Sequence, residues 1–270
     1  VSIVDALRAD AAGLLQTGRA KLVLGYRSRQ GRRVPILLTD AANADQLVYD
    51  AECRQNLAAY LRKPEVRQHF PVGVVAAPPA MRSLVMLAAE SQIAADSVTV
   101  LAVGENEYHG ALDLAATAQL LREKYADLAL NEELLRRVRE IAAMSEEERA
   151  AFWTEQFSKC TRCYACRSAC PGCYCQWCIS KRNVPQWIST ADLPHGTYAW
   201  NITRAFHHAG RCTLCGACEA ACPQGLPLML LNAHVAECVE KEFGHKTGYD
   251  LAEKPLIGSW RTEDDDGFVR

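Results

Sequence analysis

Two runs of cysteine in this chain share one spacing: Cys160-x2-Cys163-x2-Cys166-x3-Cys170-Pro171 and Cys212-x2-Cys215-x2-Cys218-x3-Cys222-Pro223. Thiolates are soft ligands that select zinc and iron–sulfur clusters. Three of them at this interval wrap a tight loop around one [4Fe–4S] cubane, while the fourth, carried past the loop, reaches a second cubane. The proline that follows fixes φ and removes a backbone donor, ending the loop. The spacing therefore assigns Cys160, Cys163, Cys166 and Cys222 to a first cluster and Cys212, Cys215, Cys218 and Cys170 to a second. Linked cubanes imply single-electron chemistry. Zinc is the main rival because it also takes paired CxxC units, but zinc ribbons set two such knuckles well apart to build one tetrahedron. A disulfide framework fits less well, since the cysteines are crowded into two short runs and no secretory signal is visible.

Five further cysteines need a reading. Cys173, Cys175 and Cys178 adjoin the first run, and Cys53 stands alone in the N-terminal part. Isolated cysteines are small buried hydrophobes more often than ligands. Three so close to a metal loop are nevertheless candidates for a third site, zinc or iron–sulfur, with Cys53 or His195 completing the shell. Cys238 reads as packing within a helix, and His207 and His208 read as structural. Lys159, Arg162, Arg167 and Arg211 flank the ligand loops, where positive charge favours the reduced state of a cluster. No catalytic side chain is expected, and no GxGxxG phosphate-binding fingerprint follows the early strands.

The elements that must position these loops follow from composition and periodicity. The 270 residues are 49% hydrophobic and 23% charged with a net charge of −2, values of an ordinary globular chain long enough for two domains and without a global signal for nucleic acid. No apolar run approaches the ~20 residues that span a bilayer, so no direct membrane insertion is expected. Asp5 and Arg8 fall where a signal peptide would be apolar, and a cytoplasmic location is the natural expectation. Twelve of the 13 cysteines lie after residue 159, which separates a cluster module from a preceding domain.

In that first domain, Ile3, Leu7, Ala11 and Leu14 predict an amphipathic helix. Residues 21–26 and 34–39 read as strands around a basic turn at 28–33, and residues 43–48 and 56–62 look helical. Val72–Ala76 is a continuous apolar run typical of a buried parallel strand, followed by a helix over 82–94 and a strand over 97–103. From Ala111 to Phe157 the pattern is helical, with Ser145 as an N-cap before Glu146, Glu147 and Glu148, and residues 105–157 read as helices that lead from the sheet into the cluster module. The fold class expected is an α/β N-terminal domain followed by a mostly helical two-cluster ferredoxin-like domain. The expected boundaries are an α/β docking domain at 1–110, a helical connector at 111–157, the dicluster domain at 158–245 with an insert at 171–211, and a C-terminal tail at 246–270. A helix over 197–209 ends the insert, and another runs over Leu228–Phe243. The insert's aromatics, Tyr174, Trp177, Trp187, Tyr198 and Trp200, either shield the clusters or form the core of a small domain, the latter being the commoner use. The acidic Glu263–Asp266 reads as a solvated tail with the option of docking a basic partner.

Residues 159–178 (KCTRCYACRSACPGCYCQWC) and 203–212 (TRAFHHAGRC) resemble the cluster domain of iron–sulfur proteins related to the beta subunits of deazaflavin-coenzyme-reducing hydrogenases and formate dehydrogenases. The likeness extends to residues 23–27 (VLGYR) and 50–61 (DAECRQNLAAYL). It implies a subunit of a hydrogenase, formate dehydrogenase or heterodisulfide-reductase-like complex, with other subunits, including a flavin- or cluster-bearing one, as partners. The chain departs from that family where a Gly-Cys-Asp turn is expected: Pro78-Pro79-Ala80-Met81-Arg82 stands there, and a cysteine expected near Gly104-Glu105-Asn106 is absent. Proline supplies no backbone N–H, so that turn's cofactor contacts do not transfer and a flavin is not expected. The alternative is an oxidoreductase with a flavin in residues 1–110.

Overall fold

The computed structural model describes residues 2–126 and 132–256. Helix α1 (Ile3–Gln16) starts at Ser2, whose hydroxyl accepts from the Asp5 amide, and it buries Leu7, Ala11 and Leu14. Strands β1 (Leu22–Arg29) and β2 (Arg32–Leu38) form an antiparallel hairpin. Its turn is tighter than expected: only Gln30 and Gly31 lie outside the strands, both at positive φ, the geometry that suits the right-handed twist of two paired strands. Residues expected to be helical near 43–48 and 56–62 form 3-10 turns instead, Ala41–Gln46, shifted two residues earlier, and the shorter Leu57–Tyr60. The side chains of Asp40 and Asn56 accept the amides of Ala42 and Ala58, a local bond that starts a turn without demanding a long helix.

A single turn, α2 (Pro64–Arg67), leads to β3 (Val72–Ala76), which is buried along its whole length. Helix α3 (Pro78–Ala89) begins four residues earlier than the expected 82–94 helix and ends sooner. Pro78 and Pro79 occupy its first turn, where the missing N–H has no intrahelical partner to lose. After β4 (Val98–Val103) comes β5 (Tyr108–Leu112), then α4 (Leu114–Lys124), capped by Asp113. The sheet order is β2-β1-β3-β4-β5, parallel from β1 through β4 and antiparallel at both edges.

Strand β5 corrects the helical reading of residues 105–157. As an edge strand it is half-buried at every position and shows no alternation to read. It pairs with β4 and lies against α1, where the Tyr108 hydroxyl donates to Asp10 at 2.8 Å. Leu114, Ala118 and Leu121 of α4 belong to the same core as the sheet, so the α/β layer runs past residue 110.

The remaining elements are helical. They are α5 (Glu132–Ala142), α6 (Glu146–Ser158), α7 (Ala165–Ala169), α8 (Pro194–His207), α9 (Ala217–Ala220) and α10 (Leu228–Phe243). Ser145 and Glu148 make a reciprocal capping box at the start of α6, satisfying two orphan donors at once. Val138, Ile141, Trp153 and Phe157 meet Leu226, Leu228, Leu230 and Ala233 in a second core. Among the described residues no helix is long and apolar enough to cross a membrane. The acidic run at Glu263–Asp266 lies outside the described residues.

Candidate metal centre

The two cysteine loops repeat each other in backbone conformation. Arg162 and Leu214, each two residues after the first cysteine, have φ of 54° and 55°. Tyr164 and Gly216, each just after the second cysteine, have φ of 62° and 71°. A non-glycine residue in this left-handed region costs about 1–2 kcal/mol, yet three of the four positions are not glycine. Left-handed residues alternating with right-handed ones form nests of N–H groups that accept anions, iron–sulfur centres among them. Each loop then runs into one short helix, α7 or α9, and these two helices pack on each other.

Cys170, Cys212, Cys215 and Cys218 line one cavity, together with Arg204, His208 and Met86. Thus the last cysteine of the first run reaches the first three of the second. Burial pushes the thiols of Cys212 and Cys215 up, and that of Cys218 up to about 12, with Cys170 contributing to all three. A free thiol is held neutral here, whereas coordination to a metal deprotonates it outright. Of the other quartet, Cys160, Cys166 and Cys222 pack against the second core, and Cys163 is exposed. Burial raises the thiol of Cys166, with Cys160 adding to the shift, and the Leu226 amide donates to Cys222 Sγ at 3.5 Å.

Four thiolates at about 2.3 Å from one zinc ion would lie within roughly 4 Å of each other. Neither quartet is drawn together so tightly: among the described residues the trio with ligand atoms within 4.8 Å of one another is Cys170, Cys173 and His208. The all-sulfur donor sets can serve zinc or an iron–sulfur centre.

The set considered for a third site, Cys173, Cys175, Cys178 and Cys53, is not gathered. Cys173 Sγ lies 3.2 Å from His208 Nε2, with Cys170 Sγ at 3.8 Å from the same nitrogen. A hydrogen bond between the two thiols lowers Cys170 and raises Cys173. Cys175 is exposed and Cys178 half-buried. Cys53 packs against the sheet core with its Sγ 3.9 Å from Asp50 Oδ1, and burial pushes it up to about 11. His195 is exposed at the start of α8. Cys238, expected to pack, is exposed on α10 beside His234; that helix has apolar residues enough to fill its inner face without it.

The flanking cations are mostly engaged. Arg162 is buried, donates to the carbonyls of Ser189 and Gly196 at 2.8 and 2.6 Å, and stacks near Trp200. Arg167 donates to Cys175 O at 2.7 Å, and Arg211 pairs with buried Glu90 at 2.9 Å. Tyr174 also donates to Glu90. Tyr174, Tyr198 and Trp200 are built into packed surroundings, whereas Trp177 and Trp187 are 66% and 58% exposed.

Sequence reasoning missed two features. One is Arg204 on α8, 5% exposed, with Nη2 3.4 Å from Cys166 O. Burial opposes its charge, yet Cys170, Cys173, Cys218 and Cys166 hold its pKa well above the ordinary guanidinium value. The other is a buried polar chain from the first domain to the second loop. Asn56 Nδ2 donates to Ser83 Oγ at 2.8 Å, and Ser83 Oγ lies 2.7 Å from Thr213 Oγ1. Neither had a spacing to reveal it.

A family model described as a 4Fe-4S binding domain matches residues 205–226, a stretch that contains all four cysteines of the second run. The chain is 28% identical over 105 residues to the F420-dependent formate dehydrogenase subunit beta of Methanocaldococcus jannaschii. It is 32% identical over 106 residues to the F420-dependent formate dehydrogenase 1 subunit beta of Methanococcus maripaludis. The chain thus carries a 4Fe-4S-type segment and is similar, over part of its length, to these beta subunits. Each match covers 39% of this chain and 27% of the relative, so the likeness spans about a quarter of the length of those beta subunits. The Pro78-Pro79 segment forms the first turn of α3, and Arg82 on the same helix is buried, donating to Thr247 O at 2.9 Å.

Proposed function

We propose that the chain is an electron-transfer subunit that holds two [4Fe–4S] clusters and relays single electrons within a multisubunit oxidoreductase. The observation that carries this reading is the cavity shared by Cys170, Cys212, Cys215 and Cys218, the crossed pattern that the doubled motif demands. On this reading Cys160, Cys163, Cys166 and Cys222 hold the other cluster. A bound cluster supplies reversible one-electron exchange. The protein holds the thiolates apart in preset loops, walls the second set from water with Met86, Thr213 and Asn232, and surrounds both with fixed cations. Residues 1–110 and the rest of the α/β layer dock the complex, whose other subunits are the electron donor and acceptor. The names of the relatives support a formate dehydrogenase or a related complex as the setting.

Anaerobic reconstitution followed by iron, sulfide and flavin analysis tests the proposal. About eight iron and eight sulfide per chain are expected from two cubanes. No more than about half that iron would sink it.

A cavity of about 490 Å³ favours a second reading, an oxidoreductase with a flavin on the N-terminal domain. Arg54, Tyr60 and Lys63 form one wall, and Ala169 and Ala221 beside the cluster loops form the other. Its size falls within the range of small-molecule sites. A yellow chromophore released on denaturation would favour this reading, and a flavin-free chain with full iron would reject it.

A further inference from the structure

Among the described residues no carboxylate pairs with Arg204, although the residue is 5% exposed and its Nε has no hydrogen-bond partner. A buried charge without a partner is strongly disfavoured. What surrounds it instead is sulfur. Arg204 lines the cavity of Cys170, Cys212, Cys215 and Cys218, and on its other side it reaches the Cys166 carbonyl at 3.4 Å. Cys166 belongs to one proposed quartet, and Cys170 and Cys218 to the other, so the guanidinium stands at the seam between them. Of the cations that flank the loops, Arg211 has Glu90 and Lys159 has Glu155, while Arg162, whose Nε is also unpartnered, reaches two carbonyls and does not line the cavity of Cys170, Cys212, Cys215 and Cys218.

We propose that Arg204 is the internal counter-charge shared by the two cysteine quartets, and that its fixed positive charge sets how readily both centres accept an electron. This rests on the two-cluster reading above. Arginine suits the role because it stays charged when buried and spreads its donors across a planar fork. Positive charge beside a cluster favours the state with the extra electron.

The test compares wild type, Arg204→Lys and Arg204→Gln as full chains, anaerobically loaded, by iron and sulfide content, far-UV circular dichroism and potentiometric titration followed by electron paramagnetic resonance. Arg204→Gln is expected to keep its fold and to weaken reduction of at least one centre about tenfold, 59 mV for one electron, or to lose iron while folded. Arg204→Lys, which keeps the charge, is expected to stay within about threefold of wild type. Full iron and unchanged potentials in Arg204→Gln overturn the inference alone. So does an unfolded Arg204→Gln, or an Arg204→Lys as defective as Arg204→Gln, because either assigns the side chain to packing. A wild-type chain that takes up fewer than two cubanes overturns the two-cluster reading, and this inference with it.

Discussion

Removing one oxygen atom, in Ser83→Ala, should loosen the join between the α/β layer and the second cysteine loop. Ser83 is fully buried on α3, and Asn56 and Thr213 are each 5% exposed. The Ser83 hydroxyl has one hydrogen to give and two lone pairs to fill. Donation to Pro79 O at 2.9 Å uses the hydrogen, leaving both lone pairs for Asn56 Nδ2 and the Thr213 hydroxyl. The group is completely satisfied. Alanine strands two buried donors, each worth about 1–3 kcal/mol when unpaired, so a total loss of about 2–4 kcal/mol is expected after some relaxation. For a chain of this size that is a fall of roughly 5–12 °C in melting temperature. The assay is thermal unfolding of the anaerobically loaded chain at one scan rate, with Thr213→Val and the double variant completing a cycle. Coupling of at least about 1 kcal/mol is expected between neighbours in one network. A loss below about 0.5 kcal/mol, or strict additivity of the two variants, would refute the reasoning.

Four further outcomes are expected. Cys170→Ser should lose the iron of one cluster while Cys173→Ser keeps full iron; equal losses in both would break the proposed assignment. Phe157→Ala should cost about 3–5 kcal/mol, because the ring is 1% exposed and stacks on Trp153 at 5.2 Å; a melting temperature within a degree or two of wild type would contradict that packing. Gly216→Ala should cost about 1 kcal/mol through its positive φ alone, since open space surrounds the added Cβ, whereas Gly248→Ala should cost more because its Cβ would collide with the Arg82 carbonyl; the reverse order in chemical melts would count against both. The Glu253 carboxylate raises His245 above the ordinary imidazole range, against the opposing effect of burial. That stabilisation is fully present below about pH 6.5, the unfolded value, and is lost as pH rises through the higher folded value. Glu253→Gln should therefore destabilise at acidic pH and converge with wild type at alkaline pH, and parallel melting curves across pH would dismiss the pair.

What could be read from the residues followed from strong local rules. Val72–Ala76 and Leu228–Phe243 coincide with a strand and a helix of the structure because an unbroken apolar run and a long amphipathic stretch leave little choice. The Ser145 cap was legible for the same reason. Strand β5 was not, since a half-buried edge carries no alternation and Gly110 at φ 93° interrupts it. Nor was the start of α3, expected at residue 82, because two prolines open the helix at Pro78. In the candidate site, the doubled cysteine spacing is visible in the sequence itself, and the structure sets Cys170, Cys212, Cys215 and Cys218 around one cavity. Arg204 and the Asn56–Ser83–Thr213 chain could not be read there, because their meaning lies in contacts across the sequence: Asn56 and Thr213 come together only when α3 is laid against the second loop. His208 likewise acquires its thiol neighbours from the fold, and its place next to His207 gave no hint of them.

The matched left-handed turns at Arg162–Tyr164 and Leu214–Gly216 give the two loops one backbone but different wrappings. The first carries an exposed Cys163 and a Tyr164 ring set edge-on to Trp200 at 4.9 Å. The second has no side chain at Gly216, and Met86 of the α/β layer contributes a wall to its cavity. On the proposed assignment the pair is therefore polar in the sense of traffic: one centre faces outward as a port, and the other is an interior station sealed by a different domain. A partner that approaches from solvent meets the port first. Any exchange at the interior station depends on the α/β layer staying seated, so that layer would act as a gatepost as well as a dock.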